Sequence, residues 1–253
     1  MISDSHSHTG AYSPRLDRAL KLAAIVHRRQ QRRGTRIPYI MHPVQVARIL
    51  EHYGYGEDAV IAGLLHDVIE DARPDDEEMH HGVAETFPPF DPTGGVEAPA
   101  EQTSQRLRTL IEREFGRRVL MLVDAVTEQK REHGVDRPWK VRKEEALAAL
   151  AARGRTEPDI AALKAADALH NVQSIAQDLA TGGVRIMSRF NAEPHETVWY
   201  FRAVARIVRE ATGDAPLVHE LQSAVENLAT TLLQVYEAGR RNLREQLSLP
   251  VQE

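Results

Sequence analysis

The sequence predicts an all-α protein, and three observations predict it. Ala, Leu, Arg, Glu and Val dominate the composition, a set rich in helix formers. No run of alternating β-branched residues appears. Apolar residues recur at helical spacing in one segment after another, between breaks marked by proline and glycine. With 253 residues, 42% apolar and 27% charged, the chain has the composition of a globular protein with ample core.

Taken in order, residues 1–13 are polar and predict a flexible tail in which His6 and His8 are solvated. Ser13 and Pro14 then supply cap and first-turn signals for a helix with Leu16, Ala19, Leu20, Ala23, Ala24 and Val26 on its apolar face. It runs into a basic stretch from His27 that Gly34 closes. Pro38 and Pro43 make a rigid, extended approach to a helix Val44–Tyr53, leaving His42 at or near its N-cap. Gly54 and Gly56 end that helix, and Asp58 opens the next.

Residues 72–101 are rich in proline, glycine and acid, without periodicity, and predict a long irregular insertion with His80 and His81 solvated in it. Helical patterns resume at Ser104–Phe115, Val119–Val126, Glu144–Ala152, Asp159–Leu179 and Glu193–Thr212, and a last long helix opens at Pro216. No repeat and no clean linker divides the chain, so one domain over 14–247 is expected, with C-terminal helices over about 193–247.

Composition also narrows the function. A formal net charge of -5 gives no general basic character, so nucleic acid is not an expected partner. Cysteine is absent, so any metal must be held by His, Asp or Glu. The opening MISDSHSHTG has neither a basic nor an apolar targeting region, and no window approaches about 18 uncharged apolar residues. No signal peptide, no membrane partner and a cytoplasmic location are expected.

Chemistry concentrates in Ala62–Asp71, where an apolar run ends in His66-Asp67 and Glu70-Asp71. On a continuous helix at about 100° per residue, His66 stands at 0°, Glu70 at about 40°, Asp67 at about 100° and Asp71 at about 140°. One imidazole and three carboxylates then crowd one face. Negative charge at a helix C-terminus opposes the macrodipole, which points to a cation missing from the sequence. An ordinary solvated acidic helix end is the alternative.

A second signal lies on Asp159–Leu179. There Asn171, Ser174 and Asp178 fall within about 40° of Asp167 on an otherwise apolar helix, and Lys164 lies about 60° to one side. Such a stripe needs partners, either a ligand or a core hydrogen-bond network.

Four candidate metal ligands result: His42, His66, Asp67 and Asp167. Two imidazoles and two carboxylates suit Mn²⁺ or Fe²⁺, with Zn²⁺ an alternative. Such a metal lowers the pKa of a bound water, and Glu70 and Asp71 are placed to orient that water and manage its protons. Arg32, Arg33 and Arg36, with Lys140, Arg142 and Lys143, are candidates for phosphate binding or a solvated basic surface. The chemistry so assembled is metal-assisted hydrolysis of a phosphate ester or anhydride.

The segments PYIMHP (38–43), GLLHDVIEDA (63–72), FGRRVLMLVDAVTE (115–128) and LKAADALHNV (163–172) together resemble the HD phosphohydrolase superfamily, with its H…HD…D signature. More narrowly they resemble the alarmone hydrolase domains of the Rel/Spo type and the small alarmone hydrolases, over roughly residues 15–72 and 104–205. The resemblance implies an all-helical HD domain, a manganese site made by His42, His66, Asp67 and Asp167, and Glu70 and Asp71 as the catalytic pair. The implied reaction removes the 3′-pyrophosphate from guanosine tetra- or pentaphosphate, giving GDP or GTP and pyrophosphate. Asn171 and Ser174 match positions that line the nucleoside pocket, and Arg33 matches a basic residue near base and phosphates. Tyr39 and Lys164 are counted on the substrate side.

The chain departs from the family where an Arg-Lys pair becomes Arg33-Gly34, losing one nucleotide-facing cation. The segment RFN…WYF (189–201) is similar to small free-standing bacterial members. No synthetase region follows, so degradation alone is expected. The alternatives are a phosphohydrolase for another nucleotide or phosphoester (an adenosine alarmone, a nucleoside monophosphate, a cyclic dinucleotide) and a non-catalytic nucleotide-binding module. A homo-oligomer is left open.

Overall fold

Proline opens the helices and glycine closes them much as the sequence places them. The computed structural model describes residues 12–91, 100–132, 135–189 and 192–248. Among them are eleven α-helices and one two-residue hairpin pairing Arg131 with Asp136 and Glu132 with Val135. No helix among the described residues is long and apolar enough to cross a membrane. The expected tail, with His6 and His8, lies outside the described residues up to residue 11. Packing divides the chain into two units, Met1–Gln30 with Pro38–Thr127, and Gln31–Ile37 with Glu128–Glu253.

The first unit holds α1 (Pro14–Val26), α2 (Met41–His52), α3 (Glu57–Leu65), α4 (Val68–Asp71), α5 (Glu77–Thr86), α6 (Ala100–Phe115) and α7 (Arg117–Val126). Ser13 accepts from Leu16 N at 3.3 Å and Pro14 takes the first turn, so α1 starts where its cap signal stands. Every residue of α3 from Ala59 to Leu65 is buried. It therefore forms the centre of the unit, with α1, α2 and α7 packed on it. Leu22, Leu50, Ile61, Leu65 and Leu122 are fully buried, each worth about 2 kcal/mol of transfer free energy. A Cβ on Gly63 would lie 2.9 Å from Leu50 Cδ1 and 3.1 Å from Ala47 Cα. That glycine lets α2 and α3 cross closely, which carries His42 toward the end of α3.

Residues 72–101 are not irregular throughout: Asp76 accepts from Met79 N at 3.1 Å and opens α5. Met79, His80 and Val83 face the core, and Phe87 beyond them is fully buried. A single i, i+4 apolar pair among acids was too short a period to register. His80 is accordingly buried rather than solvated, stacked 6.3 Å from Phe90. Residues 92–99 of the expected insertion lie outside the described residues.

The His-Asp run is not the one continuous helix expected of it. It breaks at His66-Asp67, where Asp67 takes φ -99° and ψ -5° between α3 and α4. His42, expected at or near an N-cap, lies two residues past the N-cap Ile40, buried inside the first turn of α2.

The second unit contains α8 (Trp139–Arg153), α9 (Pro158–Gly182), a 3₁₀ turn Val184–Arg189, α10 (Pro194–Thr212) and α11 (Pro216–Ser248). The central helix is α9, on which α8, α10 and α11 pack. Its alanines at 161, 162, 165, 166 and 168 are buried, small enough for neighbouring backbones to come close. Reciprocal bonds between Glu193 and Glu196 box the start of α10.

Candidate active site

In a regular helix, side chains one residue apart diverge by about 100° and do not meet. The break between α3 and α4 removes that restriction, and His66 Nε2 lies 2.9 Å from Asp67 Oδ2. Three groups converge on this one oxygen. Tyr39 donates its hydroxyl to it at 2.6 Å, and His42 Nε2 stands 3.7 Å away. The imidazoles of His42 and His66 meet edge to face, 5.0 Å between centroids. Both are almost wholly buried.

The protonation of His66 follows from its partner. Its Nδ1 lies 2.8 Å from the Gly63 carbonyl, which can only accept. Neutral His66 therefore carries its hydrogen on Nδ1 and turns the lone pair of Nε2 toward the Asp67 carboxylate. A lone pair and a carboxylate oxygen that close repel unless a positive charge lies by them. The donor chemistry, imidazole nitrogen and carboxylate oxygen with no thiolate, fits a divalent cation of the Mn²⁺, Fe²⁺ or Zn²⁺ kind.

A second layer backs this group. His27, at the end of α1, hydrogen-bonds Gln30 through Nδ1 and packs 5.0 Å from the Tyr39 ring. Burial lowers its pKa below the ordinary histidine value, against the opposing pull of Gln30, Asp67 and Asp71. Gln30 Nε2 donates to the backbone carbonyl of Asp71 at 3.1 Å, anchoring the end of α4 that carries Glu70 and Asp71. Neither His27 nor Gln30 was picked out from sequence. His27 follows Ala23 by four residues, so its place on the buried face of α1 was the available signal.

In the second unit, α9 presents Asp167 with both oxygens engaged. Lys164 Nζ donates to Oδ2 at 2.9 Å, and Asn171 Nδ2 donates to Oδ1 at 2.6 Å. Arg32 extends the chain of contacts, its Nη2 donating to Asn171 Oδ1 at 3.1 Å. Burial works against the charge on Lys164, but Asp167, Tyr200 and Glu128 outweigh it and hold the pKa well above the usual lysine value. Glu128 in turn binds Arg142 at 3.2 Å and Lys143, whose ammonium lies 4.7 Å over the Tyr200 ring. Of the expected phosphate-binding cations, Arg142 and Lys143 are thus engaged by Glu128, while Lys140 is exposed.

The sequence-predicted residues sort by unit. Tyr39, His42, His66 and Asp67 come together in the first, with Glu70 and Asp71 on the following turn. Lys164, Asp167 and Asn171 come together in the second, with Ser174 half-buried one turn on. Arg33 is exposed on the turn 31–37. Tyr39, Lys164 and Asn171, expected on the substrate side, each hydrogen-bond a candidate ligand carboxylate.

The family model described as HD domain matches residues 19–89, a span that contains His42, His66-Asp67 and Glu70-Asp71. Human guanosine-3′,5′-bis(diphosphate) 3′-pyrophosphohydrolase MESH1 is 43% identical over 81 residues, 29% of this chain and 44% of that protein. The Aquifex aeolicus protein of the same enzyme name is 37% identical over 79 residues, 31% of this chain and 11% of the other. The matched stretches thus span less than half the length of these curated relatives.

Among solved structures, a metazoan ortholog of SpoT described as hydrolysing ppGpp superposes with a TM-score of 0.57 at 22% identity, over 86% of this chain and 97% of that one. At that identity the likeness is one of fold. The chain therefore carries an HD domain over residues 19–89, related to that of the MESH1-type ppGpp hydrolases.

Proposed function

We propose that the chain removes the 3′-pyrophosphate from guanosine 3′,5′-bis(diphosphate) and its pentaphosphate, giving GDP or GTP and pyrophosphate. In this reading His42, His66, Asp67 and Asp167 hold a divalent metal, manganese, and the first two with Asp167 form a group able to do so. The observation that carries it is the convergence of His66, His42 and the Tyr39 hydroxyl on Asp67 Oδ2 at the break between α3 and α4. A part-buried carboxylate faced by the Nε2 lone pair of His66 and held by the Tyr39 hydroxyl supports a cation there over a core hydrogen-bond network.

When bound, such a metal supplies a Lewis acid and a water of lowered pKa. The protein supplies the rest. His66 keeps its lone pair aimed because Gly63 holds the opposite nitrogen, and Tyr39 fixes the rotamer of Asp67. Lys164 and Asn171 do the same for Asp167. Glu70 takes the proton of the attacking water as its oxygen bonds to the 3′ phosphorus, with Asp71 beside it. The bond from that phosphorus to O3′ breaks, its electron pair stays on O3′, and O3′ takes a proton from solvent to become the hydroxyl of GDP while Glu70 releases its own to solvent. Ser174 and Arg33 face the nucleoside.

The test is turnover of guanosine tetraphosphate with manganese, scoring pyrophosphate against free phosphate. GDP with pyrophosphate, lost on chelation and restored by metal, is the expected result. Free phosphate, or turnover only of an adenosine alarmone, a nucleoside monophosphate or a cyclic dinucleotide, overturns the guanosine assignment.

A further inference from the structure

The turn 31–37 receives a side chain from elsewhere in its unit. Gly34 is left-handed at φ 71°, and a Cβ built on it would overlap Cδ, Nε and Cγ of Arg189. Arg189, the last residue of the 3₁₀ turn, is laid directly across this glycine. Only glycine meets both demands, the backbone conformation and the missing side chain. Beyond the glycine, Arg189 Nη1 stands 3.7 Å from Asp178 Oδ2 on α9. That is too long for a hydrogen bond, so Asp178 steers the guanidinium and leaves its donors available to a stronger acceptor.

Arg32, two residues before Gly34, reaches the same polar stripe one turn past Asp167, through Asn171. The stripe from Asn171 through Ser174 to Asp178 extends about 6 to 16 Å along α9 from Asp167. Arg32 and Arg189 thus bring guanidinium groups to it from two different elements. Arg189 fills the volume that a side chain at position 34 would occupy.

A substrate with two diphosphate arms on one ribose needs cations for the arm that is not cut. Guanidinium groups are suited to this because they bind phosphate oxygens in pairs. Resting on the hydrolase reading, we propose that Arg32 and Arg189 form an anion subsite over the α9 stripe that takes the 5′-diphosphate of the nucleotide, with Arg189, admitted by Gly34, as its specificity-determining cation.

GDP carries the 5′-diphosphate without the scissile group, so its binding tests the subsite apart from turnover. Calorimetric titration of GDP into the full chain with chelator present should show about tenfold weaker binding for Arg189→Ala, with Arg189→Lys recovering most of it. Gly34→Ala, which pushes Arg189 aside, should weaken GDP binding in the same direction, and guanosine affinity should stay within twofold in all three. Melting temperatures separate these effects from misfolding. GDP affinity unchanged in Arg189→Ala, or an equal loss for guanosine, overturns the subsite. Failure of the wild type to cleave guanosine tetraphosphate would sink the hydrolase reading alone, because the GDP result is read without catalysis.

Discussion

Tyr39 donates its hydroxyl to Asp67 Oδ2 at 2.6 Å, joining the extended approach before α2 to the break after α3. The bond restrains a carboxylate that two imidazoles also face. Hydrogen bonds to ligating carboxylates commonly contribute a factor of 10 to 100 in metal affinity. Tyr39→Phe should therefore weaken Mn²⁺ binding about tenfold while the fold holds. A manganese titration followed by calorimetry checks this, and an unchanged affinity would mean that Tyr39 serves substrate instead.

Metal binding and proton transfer should separate at the two doublets. Asp67→Ala is expected to lose metal and turnover together. Glu70→Ala should keep the metal and lose about 10²- to 10⁴-fold in rate, the usual contribution of a positioned acid or base. Metal content and initial rate measured on the same preparations decide it. A near-normal rate in Glu70→Ala removes that residue from the proton path.

Much of this was legible from residues. The helix order, the start of α1 at Pro14 and the polar stripe of α9 all follow from periodicity and cap signals. The HD run was recognised as special on the wrong geometry, since a continuous helix would have kept His66 and Asp67 apart. What brings them together is a two-residue turn, and no local propensity marks it. The hydrogen bonds of Asn171 and Lys164 to Asp167 were within reach of i, i+4 and i, i+3 reasoning. The approach of Arg189 to Gly34 was not, because it joins positions 155 residues apart with no pattern common to both (189 − 34). The helix α5 was hidden for a third reason, its inward face being only Met79, His80 and Val83.

Lys164 should matter for stability as well as chemistry. It lies between Asp167, to which it donates, and the negative field of Glu128. Removing one partner from a buried charge group leaves the others uncompensated, a cost of about 3–5 kcal/mol. Lys164→Met should thus lower the urea midpoint strongly, and adding Asp167→Asn should return part of the loss. Equal midpoints for Lys164→Met and wild type would show that the ammonium carries no structural weight.

The buried histidine of α5 gives a pH signature. Burial lowers the pKa of His80, with Arg106 adding to the effect and the Pro74 carbonyl and Asp76 opposing it. A folded-state pKa below the unfolded value of about 6.5 means that the unfolded chain takes up this proton first on acidification. The stabilisation by neutral His80 is therefore complete above about pH 6.5 and is lost as pH falls toward its folded pKa. His80→Gln should destabilise clearly at pH 7.5, where it disturbs the packing on Phe90 and the bond to Pro74. Its cost should shrink by pH 5, because the wild type has by then lost part of the same stabilisation. Urea midpoints of both proteins across that range read the effect. A cost that stays constant with pH would show that His80 titrates alike in the folded and unfolded chains.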